Sequence, residues 1–195
     1  MRVGIDKMVS AILKKLDENE EIVAERVEYG IPDTEVCSLI RSLLPEVAES
    51  VILQAPRRQI DEWDEFSADV EWEGPGHGRV ELPSDFLRFI SFRMSDWTRP
   101  VVMAVDCESE EYLLRFYPGV YRKGIRKAPA VAILDGARGK NLEFIGGNSP
   151  GAYLERCCYV PRPYDESREE ILLIPRGLVA AVEDAVAEKV GRIRA

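Results

Sequence analysis

Apolar residues near the amino terminus recur at helical spacing. Ile5, Met8, Val9, Ile12, Leu13 and Leu16 form one stripe, with Asp6, Lys7, Lys14 and Lys15 mostly off it, which predicts an amphipathic helix over residues 5–16. The following "DENEEIVAERVEYG" carries Ile22, Val23 and Val27 and closes on Gly30, a pattern open between a second short helix and an irregular arm. From Asp33 the spacing sharpens. Asp33 or Thr34 can cap, and Val36, Ile40, Leu43, Leu44, Val47, Val51 and Ile52 make a wide stripe, in which Pro45 is expected to kink the helix or start a new one.

Beyond "QAPRRQ" the pattern changes to a period of two. Seven acids lie between Asp61 and Glu73, interleaved with Trp63, Phe66, Val70 and Trp72, and the alternation over residues 69–73 predicts a strand with one wet face. The turn "GPGHG" leads to a strand near Arg79 to Leu82, then a Pro-Ser-Asp turn, then strands at 88–93 and 100–105 joined by "MSDWTR". A short helix and a long loop in "ESEEYLLRFYPGVYRKGIRKAP" precede a hairpin in which "AVAIL" and "NLEFIG" flank "DGARGK". "AYLERCCYV" reads as a further strand and "PRPYDESREE" as a polar loop. Pro175 opens a last helix with Leu178, Ala181, Val182, Ala185, Val186 and Ile193 on one side.

Neither terminal region can bury its apolar stripe alone. The expected architecture is therefore α+β: an N-terminal helical part (1–56) and a C-terminal helix (175–195) packed as a small helical bundle, with an inserted antiparallel β-rich lobe and long loops (57–174). A chain of 195 residues with 46% hydrophobic positions can fill such a core.

Charge narrows the function. A net charge of −9 argues against a general phosphate-binding surface, which needs clustered cations, and the basic runs at Arg57 and Arg58 and at Arg122, Lys123, Arg126 and Lys127 are short enough to be solvated loops. The amino terminus lacks the uninterrupted apolar stretch of a signal peptide, and no run approaches the roughly 20 residues of a membrane span, so a cytosolic protein without a membrane partner is expected.

Candidate chemistry is thin. His77 is the single histidine and stands in a glycine-rich turn, where mobility ill suits an oriented general base. Cys37, Cys107, Cys157 and Cys158 form no CxxC motif and read as free thiols; the vicinal pair points to opposite faces of a strand, so core packing is the expectation for one of them. Around Gly139 and Lys140, Leu134 and Asn141 stand where a phosphate loop requires Gly and Ser or Thr, and "GPGHG" lacks dinucleotide-binding spacing. The acids at 61–73 are broken by aromatic residues and carry no EF-hand pattern, so a solvated strand edge explains them, and nothing selects a catalytic pair among 35 acids. No catalytic, cofactor-binding or metal-ligating residue is assigned.

The densest pattern is "VELPSDFLRFISFRMSDWTRPVVMAV", residues 80–105. In "LPSDFLRF", "SDWTRPV" and the later "SEEYLLRF" the chain resembles the head-tail connector, or adaptor, proteins of tailed bacteriophages, in which a strand ends at an LPxDFLR turn, returns through a strand and is followed by a tyrosine. The matching residues are Leu82, Pro83, Asp85, Phe86, Leu87, Arg88, Trp97, Pro100 and Tyr112, with Arg99 beside them. "GIRKAPAVAI", "YVPRPY" and the alanine-rich last helix extend the resemblance over most of residues 79–195, and the helical amino terminus agrees with it.

The resemblance implies a structural virion protein of the neck and not an enzyme, with no cofactor. Its partners would be further copies of itself in a dodecameric ring, the portal protein above and a neighbouring tail protein below, assembled in the host cytoplasm, with DNA passing through the channel without specific binding. An acidic surplus suits such a channel, since cations on its wall would trap phosphates. Phe86, Trp97 and Tyr112 are then candidate interface anchors, set against ordinary core positions, and residues 106–129 and 161–170 are candidate arms. The alternatives are a small cytosolic enzyme with an unrecognised site and a regulatory domain that binds another protein through the same aromatic residues.

Overall fold

The computed structural model describes residues 2–22, 33–116, 129–136, 139–146, 151–164 and 171–194. In chain order the elements are β1 (Arg2–Gly4), α1 (Ile5–Ile22), α2 (Asp33–Gln54), β2 (Asp64–Phe66), β3 (Glu71–Gly74), β4 (His77–Glu81), β5 (Phe86–Met94), α3 (Glu110–Phe116), β6 (Ala130–Gly136), β7 (Gly139–Ile145), β8 (Leu154–Pro161), β9 (Ile171–Leu173) and α4 (Val179–Arg194). The fold is α+β, as expected. Two compact units share the chain, Met1–Glu62 with Arg162–Ala195 in one and Trp63–Pro161 in the other. The division falls after Glu62 and Pro161, where 56 and 174 were expected, so β9 belongs with the helices.

In the helical unit, α1 and α2 bury much of the stripes that the sequence marks, Met8, Val9, Ile12 and Leu16 and then Val36, Ile40, Leu44 and Ile52. Helix α4 buries Val182 and Val186 together with Val190, which the stripe did not include, and leaves the expected Ala181 and Ile193 exposed. Helix α2 runs unbroken through Pro45, and no new helix starts there. Buried Leu44 and Val47 on either side anchor the turn whose hydrogen bond the proline removes. Between helices, Lys15 reaches Asp184 at 2.5 Å and Glu183 at 3.1 Å, and Lys189 reaches Glu46 at 2.9 Å. Two strands that the pattern did not announce, β1 and β9, pair antiparallel with Val3 opposite Leu172. The arm or helix expected over 17–30 lies partly in α1; residues 23–30 fall outside the described residues.

The second unit consists of two antiparallel sheets, β2-β8-β5 and β3-β4-β7-β6. Phe86, Phe92, Met94, Cys157 and Tyr159 from the first pack with Val80, Val131, Leu142 and Phe144 from the second in one buried cluster. Rings tie the layers: Phe92 and Phe144 lie 5.3 Å apart, and Trp97 and Phe144 6.1 Å. Trp72 and Phe144 meet edge to face across Gly78, whose missing Cβ would stand 2.9 Å from the Phe144 ring.

The strand expected at 100–105 is not formed. Pro100 lacks the donor that a ladder needs, and the segment makes single bridges, Val101 to Phe92 and Val105 to Ala132, so it straps one sheet to the other. The expected hairpin is present as β6 and β7, in register from Ala130 opposite Ile145 to Gly136 opposite Gly139. Of the two candidate arms, residues 106–116 form a turn and α3, with Ser109 Oγ accepting from Tyr112 N as an N-cap; 117–128 and 165–170 lie outside the described residues. Helix α3 places Tyr112 and Phe116 with Ala130, Ala132 and Ile145, on the side of the four-stranded sheet away from the aromatic core.

Candidate functional site

The LPSDFLR run forms the corner where the chain leaves the four-stranded sheet for the three-stranded one. Leu82 fills the core, and Phe86 N donates to Pro83 O at 2.9 Å, closing a turn with Ser84 and Asp85 at its centre. Asp85 Oδ1 accepts the Tyr159 hydroxyl at 3.0 Å, and Phe86 stacks on the Tyr159 ring at 5.8 Å. Burial first, and the Asp85 carboxylate second, push the Tyr159 phenol up from its ordinary value.

The candidate anchors Phe86, Trp97 and Tyr112 are all buried within this unit. Their side chains are packed inside one chain, in the core positions that were set against the interface reading. Pro83, Asp85, Leu87 and Arg88 are half-buried, while Arg99 and Pro100 are exposed. The exposed apolar side chains on this unit lie elsewhere, at Trp63, Val102, Met103, Leu113 and Tyr153, with Met103 77% exposed.

A second constellation was not seen in the sequence. His77 does not sit in the turn: the turn is Pro75 and Gly76, where Gly76 takes φ 71°, and His77 is the first residue of β4. Its Nε2 lies 2.6 Å from Glu143 Oε1 and 3.5 Å from Glu73 Oε2. Glu143 is the one fully buried charged side chain among the described residues. Its other oxygen, Oε2, accepts the Tyr112 hydroxyl from α3. Arg79 donates to Glu73 Oε1 at 3.0 Å and stands 3.9 Å from Glu143 Oε1. The buried Nε of Arg79 has no hydrogen-bond partner among the described residues.

Strand periodicity explains the convergence. In β3, β4 and β7 alternate residues share a face, so Glu73, His77, Arg79 and Glu143 all leave the sheet on the side opposite Trp72, Val80, Leu142 and Phe144. Arg79 is directly opposite Glu143 in the β4–β7 register. A signal existed in the sequence, since these residues occupy same-parity positions of neighbouring strands, but only the pairing reveals it.

Other features carry less chemistry. Cys157 and Cys158 are both buried, although packing was expected for one only, because β8 is the central strand of its sheet. Burial pushes the Cys157 thiol up to about 12, which leaves it protonated and unreactive. All four cysteines are free. In the helical unit a groove of about 370 Å³ lies between α2 and α4, lined by Glu46, Ser50, Gln54, Lys189 and Arg192 among others. Its cations are already paired, Lys189 with Glu46 and Arg192 with Glu188. Among the described residues, no helix is long and apolar enough to cross a membrane.

No protein-family model matches the chain, and no curated protein matches it.

Proposed function

We propose that the chain is a head-tail connector subunit of a tailed bacteriophage, which assembles as a ring beneath the portal, joins it to the tail and surrounds the DNA exit channel. The observation that carries this reading is the ordered run of "LPSDFLRF", "SDWTRPV" and "SEEYLLRF". The first of these builds a braced corner between two sheets, and a connector needs such a stiff lobe to hold contact surfaces in register around a ring.

Because Phe86, Trp97 and Tyr112 are core residues, the contacts with a neighbouring copy or the portal fall to exposed apolar side chains, Val102 and Met103 on the strap, Leu113 on α3 and Tyr153 before β8. The net charge of −9 leaves DNA free to slide through the channel.

The test is recovery of the tagged chain from cells producing the phage, with mass spectrometry of what accompanies it. A large portal-like ring protein and tail components in stoichiometric amounts are expected. Recovery of the chain alone, or with metabolic enzymes, overturns the reading. A Val102→Asp, Met103→Asp variant is expected to keep its thermal midpoint within about 2 °C, since both residues are exposed, and to lose the portal.

A further inference from the structure

We propose that Glu73, His77 and Glu143 form a binding site for a divalent transition-metal cation, of which Zn²⁺ is the best match. One ligand atom from each residue lies within 4.8 Å of the others. His77 Nε2 is 2.6 Å from Glu143 Oε1 and 3.5 Å from Glu73 Oε2. Ligand atoms at about 2.1 Å from a common ion stand about 3.0–3.5 Å apart, so the His77–Glu73 pair already has that spacing and the His77–Glu143 pair needs to open by about half an ångström.

The surroundings match what a metal site requires of its second layer. Each carboxylate has one oxygen held by a donor outside the triad, Glu73 Oε1 by Arg79 and Glu143 Oε2 by Tyr112. That leaves the other oxygen of each facing the imidazole. Two carboxylates and one guanidinium surround the imidazole, partly out of water. Access is open, because the Glu73 and His77 side chains are 35% and 25% exposed while Glu143 is sealed at 0%. Water can therefore complete the coordination from the rim.

The donor set selects the metal class. One imidazole with two carboxylates favours Zn²⁺ or Co²⁺ over Mg²⁺ and Ca²⁺, which prefer all-oxygen ligands. The ion would clamp β3, β4 and β7 together and, through Glu143 and Tyr112, fix α3 on the sheet. This inference stands apart from the connector reading and survives its failure.

The experiment is titration of the full chain, made without a histidine tag, with Zn²⁺, Co²⁺, Mg²⁺ and Ca²⁺ separately, read by calorimetry, thermal midpoint and the visible absorption of bound Co²⁺. One equivalent of Zn²⁺ or Co²⁺ is expected to raise the midpoint by about 5 °C at saturation, with no response to Mg²⁺ or Ca²⁺. Glu73→Gln, at the rim and safe for folding, and His77→Asn are each expected to weaken binding at least about tenfold. Absence of any Zn²⁺ or Co²⁺ binding overturns the proposal. So does binding that persists in both variants and disappears when the cysteines are alkylated.

Discussion

The two faces of the four-stranded sheet bury side chains in opposite ways. On one, Trp72, Val80, Val131, Leu142 and Phe144 meet the other sheet; on the other, Glu73, His77, Arg79 and Glu143 interlock, with α3 laid against them through Tyr112. The same strands supply both. The aromatic face gains its energy from area removed from water, which is non-directional and tolerant of small shifts. The polar face gains little net energy from each hydrogen bond and loses much when one partner is missing, because Glu143 has no water to turn to. Substitutions should therefore scale with volume on one face and with burial of the partner on the other.

The largest effect belongs to the aromatic face. Phe144 is fully buried and touches Trp72, Phe92 and Trp97, so Phe144→Ala should destabilise by about 3–5 kcal/mol in urea unfolding. A cost below about 1.5 kcal/mol would mean that the rings do not centre the core. Next comes Tyr112→Phe, which keeps the ring stacked on Phe116 at 4.7 Å and deletes only the hydroxyl donated to Glu143. With chelator present, about 1–3 kcal/mol should be lost, from one oxygen atom. Equality with an exposed Tyr→Phe change such as Tyr153→Phe would break the contrast between the faces.

Local periodicity made the aromatic face legible and left the polar one hidden. Alternation at 69–73, the hairpin at 130–145 and the terminal stripes each announce themselves within a few residues, because helices and strands impose their period on neighbours in sequence. Glu143, by contrast, reads as an ordinary wet-face residue between Leu142 and Phe144. What buries it is α3, whose Tyr112 is 31 residues away, and what pairs it is His77, 66 residues away. His77 was misread because "GPGHG" shows a turn without showing where it ends; the positive φ at Gly76 ends it one residue earlier. The strap at 101–105 misled in the reverse direction, being rich in β-branched residues while pairing at Val101 and Val105 only. The LPSDFLR corner was conspicuous as a motif, but its aromatic residues serve the interior and not the surface.

The aromatic core also contains a titratable group, Cys157, and pH reads its burial directly. Its thiol titrates near 9.0 when unfolded and is pushed up to about 12 in the fold, chiefly by burial. The folded state therefore holds this proton more tightly. The contribution is complete below pH 9 and is lost as pH rises towards 12. Tyr159 and Lys15 are also shifted upward, but from ordinary values of 10.0 and 10.5, so the interval from pH 9 to 10 isolates the cysteine. About 1 kcal/mol of stability should disappear over that unit, and Cys157→Ala should flatten the slope while lowering the whole curve through its cavity. A slope unchanged by the substitution would place the thiol in contact with water.

The smallest effect is expected at the rim of the polar face, and it separates burial from charge as the source of that face's sensitivity. Arg79 is 39% exposed and pairs with Glu73, itself 35% exposed, so water screens their attraction and can solvate Glu73 when the guanidinium is removed. Arg79→Met, which keeps most of the aliphatic stem, should cost about 0.2–1 kcal/mol and lose even that in 1 M salt. Tyr112→Phe, which removes no charge, should cost more and be indifferent to salt, since the Glu143 oxygen it orphans is closed to ions and water alike. Unfolding midpoints of both variants at low and high salt decide the matter. If the arginine change proves the larger and remains so in high salt, the electrostatic grip on Glu143 runs through Arg79 at 3.9 Å, and Tyr112 serves α3 by packing alone.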